Sequence, residues 1–145
     1  MENLFNMKKI KITLLKANVS VIATLREDKC PQMVSKLISM LPHEANAYHA
    51  KWGGGEIWTQ MPNFPGYAHE NETFLPSIGE IILMPLKENL IAFDLWYDRG
   101  WAVGAQGFMN GSAVGMVTEG LEKFAIEAEK LSSEGTQMIR IELLP

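Results

Sequence analysis

The chain carries a single cysteine, Cys30, among 145 residues. That excludes an intrachain disulfide framework and a metal site built on several thiolates, and it fits a reducing, cytoplasmic setting. Long apolar runs are missing as well. None reaches the roughly 20 residues that a membrane-spanning helix needs, so no membrane partner is expected. The opening residues, MENLFNMKK, hold no apolar signal core. Basic clusters are also absent. Lys8, Lys9 and Lys11 form a short run that reads as a solvated strand face. A net charge of −4 then argues against a nucleic-acid partner. No internal repeat and no low-complexity tract occurs.

What remains is an ordinary globular composition, with 47% apolar and 21% charged residues. The length suits one domain with a substantial core. Residues 1–7 are expected to be a flexible leader, with Met7 an alternative start, and 8–145 a single domain.

Lys9 to Leu14 alternates polar and apolar residues, as a half-buried strand does. Val19, Val21, Ala23 and Leu25 repeat the pattern after a turn at Lys16-Ala17-Asn18, so the two form a hairpin. Pro31 then opens a helix, where its missing N–H has no intrahelical partner. Met33, Val34, Leu37, Ile38 and Leu41 line one face of that helix. His43 to Trp52 reads as a strand, Gly53-Gly54-Gly55 as a break, and Glu56 to Met61 as the next strand. Residues 62–77 form a long polar connection, and such connections in compact domains are usually functional or mobile. Gly79 to Met84 and Leu90 to Tyr97 are strands. Residues 98–111 form a second long, glycine-rich loop. Ser112 to Val117 is a short strand. Thr118 is placed to cap a helix whose inner face is Leu121, Phe124, Ala125, Ala128 and Leu131. Met138 to Leu144 closes the chain as a strand.

About eight strands and two helices result. Helices do not alternate with strands, so a parallel βαβ architecture is unsuited. A mostly-β, closed antiparallel barrel with two capping helices fits, because closure removes exposed strand edges.

The strand running into a Pro-started helix resembles the opening of cyclophilins. Val114-Gly115-Met116-Val117-Thr118-Glu119-Gly120-Leu121-Glu122 resembles the cyclophilin strand that leads into the final helix. More closely, the chain resembles an uncharacterised bacterial family of small cyclophilin-like proteins. The segments that carry this are Leu41-Pro42, Tyr48-His49-Ala50-Lys51, Gly55-Glu56-Ile57-Trp58, Pro76-Ser77-Ile78-Gly79-Glu80 and Val117 to Gly120. The resemblance implies a cyclophilin-like barrel. It does not carry the isomerase chemistry across. Cyclophilins set an arginine against the prolyl amide, in a Phe-His-Arg segment that here reads Tyr48-His49-Ala50. Alanine cannot replace a guanidinium's charge or its five N–H donors. The late histidine would fall near Gly111. Prolyl isomerase activity is therefore expected to be lost, in keeping with the rule that fold does not fix function.

Several residues are candidates for other chemistry. His49, on the strand that lines the cyclophilin site, is either a general base or ligand donor, or a partly buried histidine satisfied by backbone. Glu56, Trp58 and Gln60 share one strand face. They either line a pocket that orients a polar ligand or face solvent. Asp94 interrupts an apolar run, where charge is expensive unless paired. It is either a raised-pKa acid or part of an outer face with Leu90, Ala92 and Trp96. His69, Glu70 and Glu72, with His43 and Glu44, match no compact metal spacing. No metal and no cofactor is expected. Cys30 precedes a helix N-terminus, which favours thiolate, but no His or Lys is placed to activate it, so it reads as a small packed side chain. Trp52, Phe64, Tyr67, Trp96 and Trp101 either wall a cavity, form a subunit interface, or anchor loops.

The expected function is binding of a small polar or carboxylate-bearing metabolite in a barrel-side pocket. Tyr48, His49, Glu56, Trp58, Gln60, Asp94 and Tyr97 are its expected contacts. One alternative is a small hydrolase or isomerase with His49 and Glu56 as catalytic acid and base. Another is a subunit that associates with itself or a partner, and a homodimer is the favoured assembly.

Overall fold

The computed structural model describes residues 7–145. Residues 1–6 of the expected leader lie outside the described residues, and Met7 is buried. The strands β1 (Lys9–Leu14) and β2 (Val19–Leu25) form the expected hairpin. They are followed by α1 (Pro31–Ser39), β3 (His43–His49), β4 (Gly54–Pro62), β5 (Glu72–Thr73) and β6 (Glu80–Lys87). Then come β7 (Leu90–Gly100), β8 (Val103–Gly104), β9 (Gly107–Phe108), β10 (Gly111–Glu119), α2 (Leu121–Glu134) and β11 (Gln137–Leu143).

Eight strands close an antiparallel barrel in the order β2, β1, β11, β3, β4, β7, β6, β10, and β10 pairs back onto β2. The fold class read from the sequence is thus observed. β5 adds two residues to the side of β10, and β8–β9 is a separate small hairpin. No helix among the described residues is long and apolar enough to cross a membrane.

The alternating strands put Ile10, Ile12, Val21, Ala23, Ile57, Phe93, Leu95 and Ile141 in one central core. The helices add Met33, Val34 and Leu37 from α1, and Phe124, Ala128 and Leu131 from α2. Each fully buried large apolar side chain contributes about 1.5–3 kcal/mol relative to exposure.

Local expectations differ from the structure at three places. Thr118 does not cap α2: it lies in β10, where its hydroxyl meets the Ile22 carbonyl at 3.3 Å. The cap position is Gly120, at φ 86°, and a Cβ there would run into the Ser20 carbonyl at 2.5 Å. The strand read over His43 to Trp52 ends at His49, and a single 3-10 turn (Lys51–Gly53) follows. The loop read over 98–111 is partly ordered. β7 runs on to Gly100, and the β8–β9 hairpin then folds back.

Candidate functional site

In β7 the side chains of Ile91, Phe93, Leu95 and Tyr97 enter the barrel core. Ala92 and Trp96 alternate with them into a second, separate cluster with Ile82, Met84, Ala102 and Ala113. Period two requires Asp94 to share their side of the sheet. The pairing of β4 with β7 places Glu56 opposite Trp96 and Trp58 opposite Asp94, so Glu56 and Trp58 join them on the outer side of the barrel wall. The alternation expected of Asp94 is therefore present. The solvent exposure expected with it is not, because Asp94 is only 5% exposed.

The reason is a cover. Residues 101–109 fold over this face. The Ala102 N–H donates to the Phe74 carbonyl at 2.9 Å, and Met109 N–H donates to the Ala102 carbonyl at 3.0 Å. Phe74, from the 62–77 connection, meets Phe108 of the hairpin with ring centroids 4.8 Å apart. Under this flap lies a cavity of about 210 Å³. Trp52, Trp58, Met84 and Met109 form its broadest walls, and Ala50, Ala92 and Ala102 leave its space open.

Glu56 and Asp94 also line the cavity. Their carboxyl groups hydrogen-bond to each other. Ionised carboxylates only accept, so this bond requires that one of them keep its proton. Burial pushes the Glu56 carboxyl up strongly, and the neighbouring Asp94 charge pushes it further. Burial raises Asp94 too, while its bond with Glu56 acts the other way. The pair thus titrates as a unit that retains a proton at neutral pH.

The glycine run ahead of Glu56 makes this arrangement possible. A Cβ on Gly53 would overlap Glu56 Oε1 and come to 3.0 Å from the Trp101 carbonyl. Gly54 sits at φ 89° beside the Arg99 backbone, where β4 slips register against β7. The Gly53 carbonyl accepts from the Trp96 indole at 3.1 Å and from Trp101 N–H at 3.0 Å. One short turn therefore holds the acid, the tryptophan behind it and the start of the flap.

The other expected site residues divide. Tyr48 pairs with Trp58 across the sheet and packs on it, with ring centroids 5.1 Å apart, but is not among the cavity-lining residues. Gln60 is exposed and lies outside the cavity lining. His49 is on the opposite side of the wall from Glu56. It pairs across from the core residue Ile57, and its Nε2 lies 2.5 Å from the Tyr97 hydroxyl. The Tyr97 hydroxyl donates in turn to the Glu129 carboxylate of α2. Nε2 must therefore donate to Tyr97, leaving Nδ1 as a buried lone pair with no partner among the described residues. Burial lowers the His49 pKa despite Glu129 nearby. The acid–base pair expected from His49 and Glu56 is thus not assembled, because adjacent strand positions of this sheet send them to different faces.

Asp94, one of the contacts expected from the sequence, is the partner of Glu56. Met84, Ala102 and Met109 were not legible as site residues, since their role depends on the fold of the flap. The one available signal was an acid at matching parity in each of two adjacent strands. Cys30 is buried, donates to the Ala113 carbonyl at 3.2 Å, and has its thiol pushed up to about 12, chiefly by burial. The expectation of a packed, inert thiol agrees with this. Glu70 belongs to no site: its carboxylate accepts from Met33 N–H at 2.8 Å and Gln32 N–H at 3.3 Å, and so caps α1.

With this geometry in view, residues 12–143 match the family model described as "Protein of unknown function (DUF3830)". No curated protein matches the chain. Among solved structures it is similar to that of McbB in complex with tryptophan, with a TM-score of 0.69 and 15% identity over 92% of this chain. The chain spans only 44% of McbB's length. It is also similar to the solution structure of the hypothetical protein AF2241 from Archaeoglobus fulgidus, with a TM-score of 0.62, 15% identity and 94% of each chain covered. At such identity the likeness concerns the fold alone.

Proposed function

We propose that this chain, which belongs to the DUF3830 family of proteins of unknown function, binds a small, largely apolar molecule in the cavity beneath the β8–β9 flap. One observation carries the reading: among the described residues, a buried carboxyl pair forms the only ionisable part of this aromatic-walled cavity. Concave apolar sites with few convergent polar groups are where small ligands bind. At about 210 Å³ the cavity is smaller than the roughly 300–1,000 Å³ of drug-sized sites, so a one- or two-ring molecule suits it.

The carboxylate-bearing metabolite expected from the sequence suits it poorly. It would bring a third acid against Glu56 and Asp94 in a low-dielectric place. McbB has been seen in complex with tryptophan, which recommends indole compounds as first probes. The resemblance to cyclophilins gains support from the barrel and from Ala50, which stands at the arginine position and lines the cavity. No arginine lines it, and Arg140 lies with Glu44 and Glu142 instead. Prolyl isomerisation is therefore not part of the reading.

A thermal-shift screen of one- and two-ring compounds tests it, since a ligand selective for the folded state raises apparent stability. Shifts in the wild type that vanish in a folded Ala102→Phe variant, whose ring fills the cavity, are the expected result. No shift from any compound at millimolar concentration overturns it.

Self-association is a second reading, favoured by Trp52 at 60%, Trp101 at 48% and Phe108 at 65% exposed, all on or beside the flap. Sedimentation equilibrium should then reveal a dimer at micromolar concentration; a monomer throughout refutes it.

A further inference from the structure

The two carboxyls that line the cavity have an unusual feature in common. Glu56 is 6% and Asp94 5% exposed. Among the described residues, neither takes a hydrogen bond from any group other than its fellow carboxyl, and neither forms a salt bridge. Buried carboxylates normally have a cation or several N–H donors. Here a single proton between them is all that balances the charge. The walls beside them include Trp58 and Trp52, and the faces of such rings attract cations.

We propose that the ligand's head group is a protonated amine, which enters the cavity and replaces the proton shared by Glu56 and Asp94. The inference rests on the pocket reading above and adds the ligand's charge class and its chemistry of exchange. The balance closes without any other reactant. Before binding, two carboxyls and one proton carry one negative charge. After binding, two carboxylates and one ammonium carry one negative charge, and one proton has passed to solvent. The ammonium brings up to three N–H donors, which satisfy acceptor positions that one proton leaves open. All the other described residues lining the cavity are uncharged, so none of them contributes to the exchange.

The probes are tryptamine, its neutral alcohol analogue tryptophol, and indole-3-propionate, titrated calorimetrically in phosphate and in Tris at neutral pH. The difference in apparent enthalpy between the buffers counts protons. Tryptamine is expected to bind more than about tenfold tighter than tryptophol, to release about one proton per molecule bound, and to bind more tightly as pH rises. Indole-3-propionate is expected to be the weakest. In Glu56→Gln, tryptamine should still bind beside Asp94 while proton release disappears. Equal or tighter binding of tryptophol, or tryptamine binding without proton release, overturns the inference and leaves the pocket reading standing. Proton release that persists in both Glu56→Gln and Asp94→Asn also overturns it. Failure of all three indoles to bind at millimolar concentration overturns the amine proposal, and the pocket reading falls with it only when the wider thermal-shift screen is blank as well.

Discussion

Replacing Glu56 by glutamine should make this protein more stable at neutral pH, and more so as the solution becomes alkaline. The sign follows from linkage. A carboxyl whose folded pKa lies above its unfolded value binds its proton more tightly in the native state. Its contribution to stability is therefore complete below the unfolded pKa and is lost as pH rises toward the folded one. Each retained proton gives a slope of about −1.4 kcal/mol per pH unit. Between an ordinary glutamate pKa and pH 7 this amounts to about 3 kcal/mol for one proton. Glutamine has nearly the shape of protonated glutamate and can donate an N–H to Asp94, yet it takes up no proton on folding. The variant should match the wild type near pH 4.5 and exceed it by about 3 kcal/mol at pH 7. Urea denaturation at several pH values from mildly acidic to mildly alkaline, read by tryptophan fluorescence, measures both curves. A difference between the two curves that does not grow with pH across that range refutes the reasoning, as does a variant less stable at pH 8 than the wild type.

Other expectations are more local. Tyr97→Phe removes the hydroxyl between His49 and Glu129 and strands the His49 Nε2–H; a loss of about 1–3 kcal/mol in urea denaturation is expected. His49 has its pKa lowered by burial, so its contribution is present above the unfolded pKa and lost as pH falls through the folded one. His49→Gln should flatten the acid limb of the stability curve below about pH 6.5, and an unchanged limb would assign that limb to other groups. Glu70→Ala uncaps α1 at a cost of about 1 kcal/mol, and hydrogen exchange should quicken at the Gln32 and Met33 amides. Cys30 should resist alkylation in the native protein and react only on unfolding; rapid labelling in native buffer would contradict its burial.

The barrel was legible because its strands carry a period-two pattern that only one core can satisfy. Lys9 to Leu14 and Ile139 to Leu143 each show polar and apolar residues in strict turn. The site was half legible. Glu56, Trp58 and Asp94 were all visible as odd residues in strands, and their shared face follows from parity. What parity cannot supply is the register between strands, which sets Trp58 against Asp94 and separates His49 from Glu56. Nor can it supply the cover. Residues 101–109 are rich in glycine and read as loop, and their burial of Asp94 depends on two backbone hydrogen bonds to distant segments. The α2 cap was misread because Thr118 has the right chemistry, while Gly120 has the backbone that the turn over Ser20 demands.

The wall formed by β4 and β7 has one packing problem on each side. Along β7, odd positions such as Phe93 and Leu95 answer to folding, and even positions such as Ala92 and Asp94 answer to whatever occupies the space outside. Neutral drift in this family should therefore split by parity. A library randomising only the even positions of β7 could change what the protein holds while leaving its folding cooperativity intact.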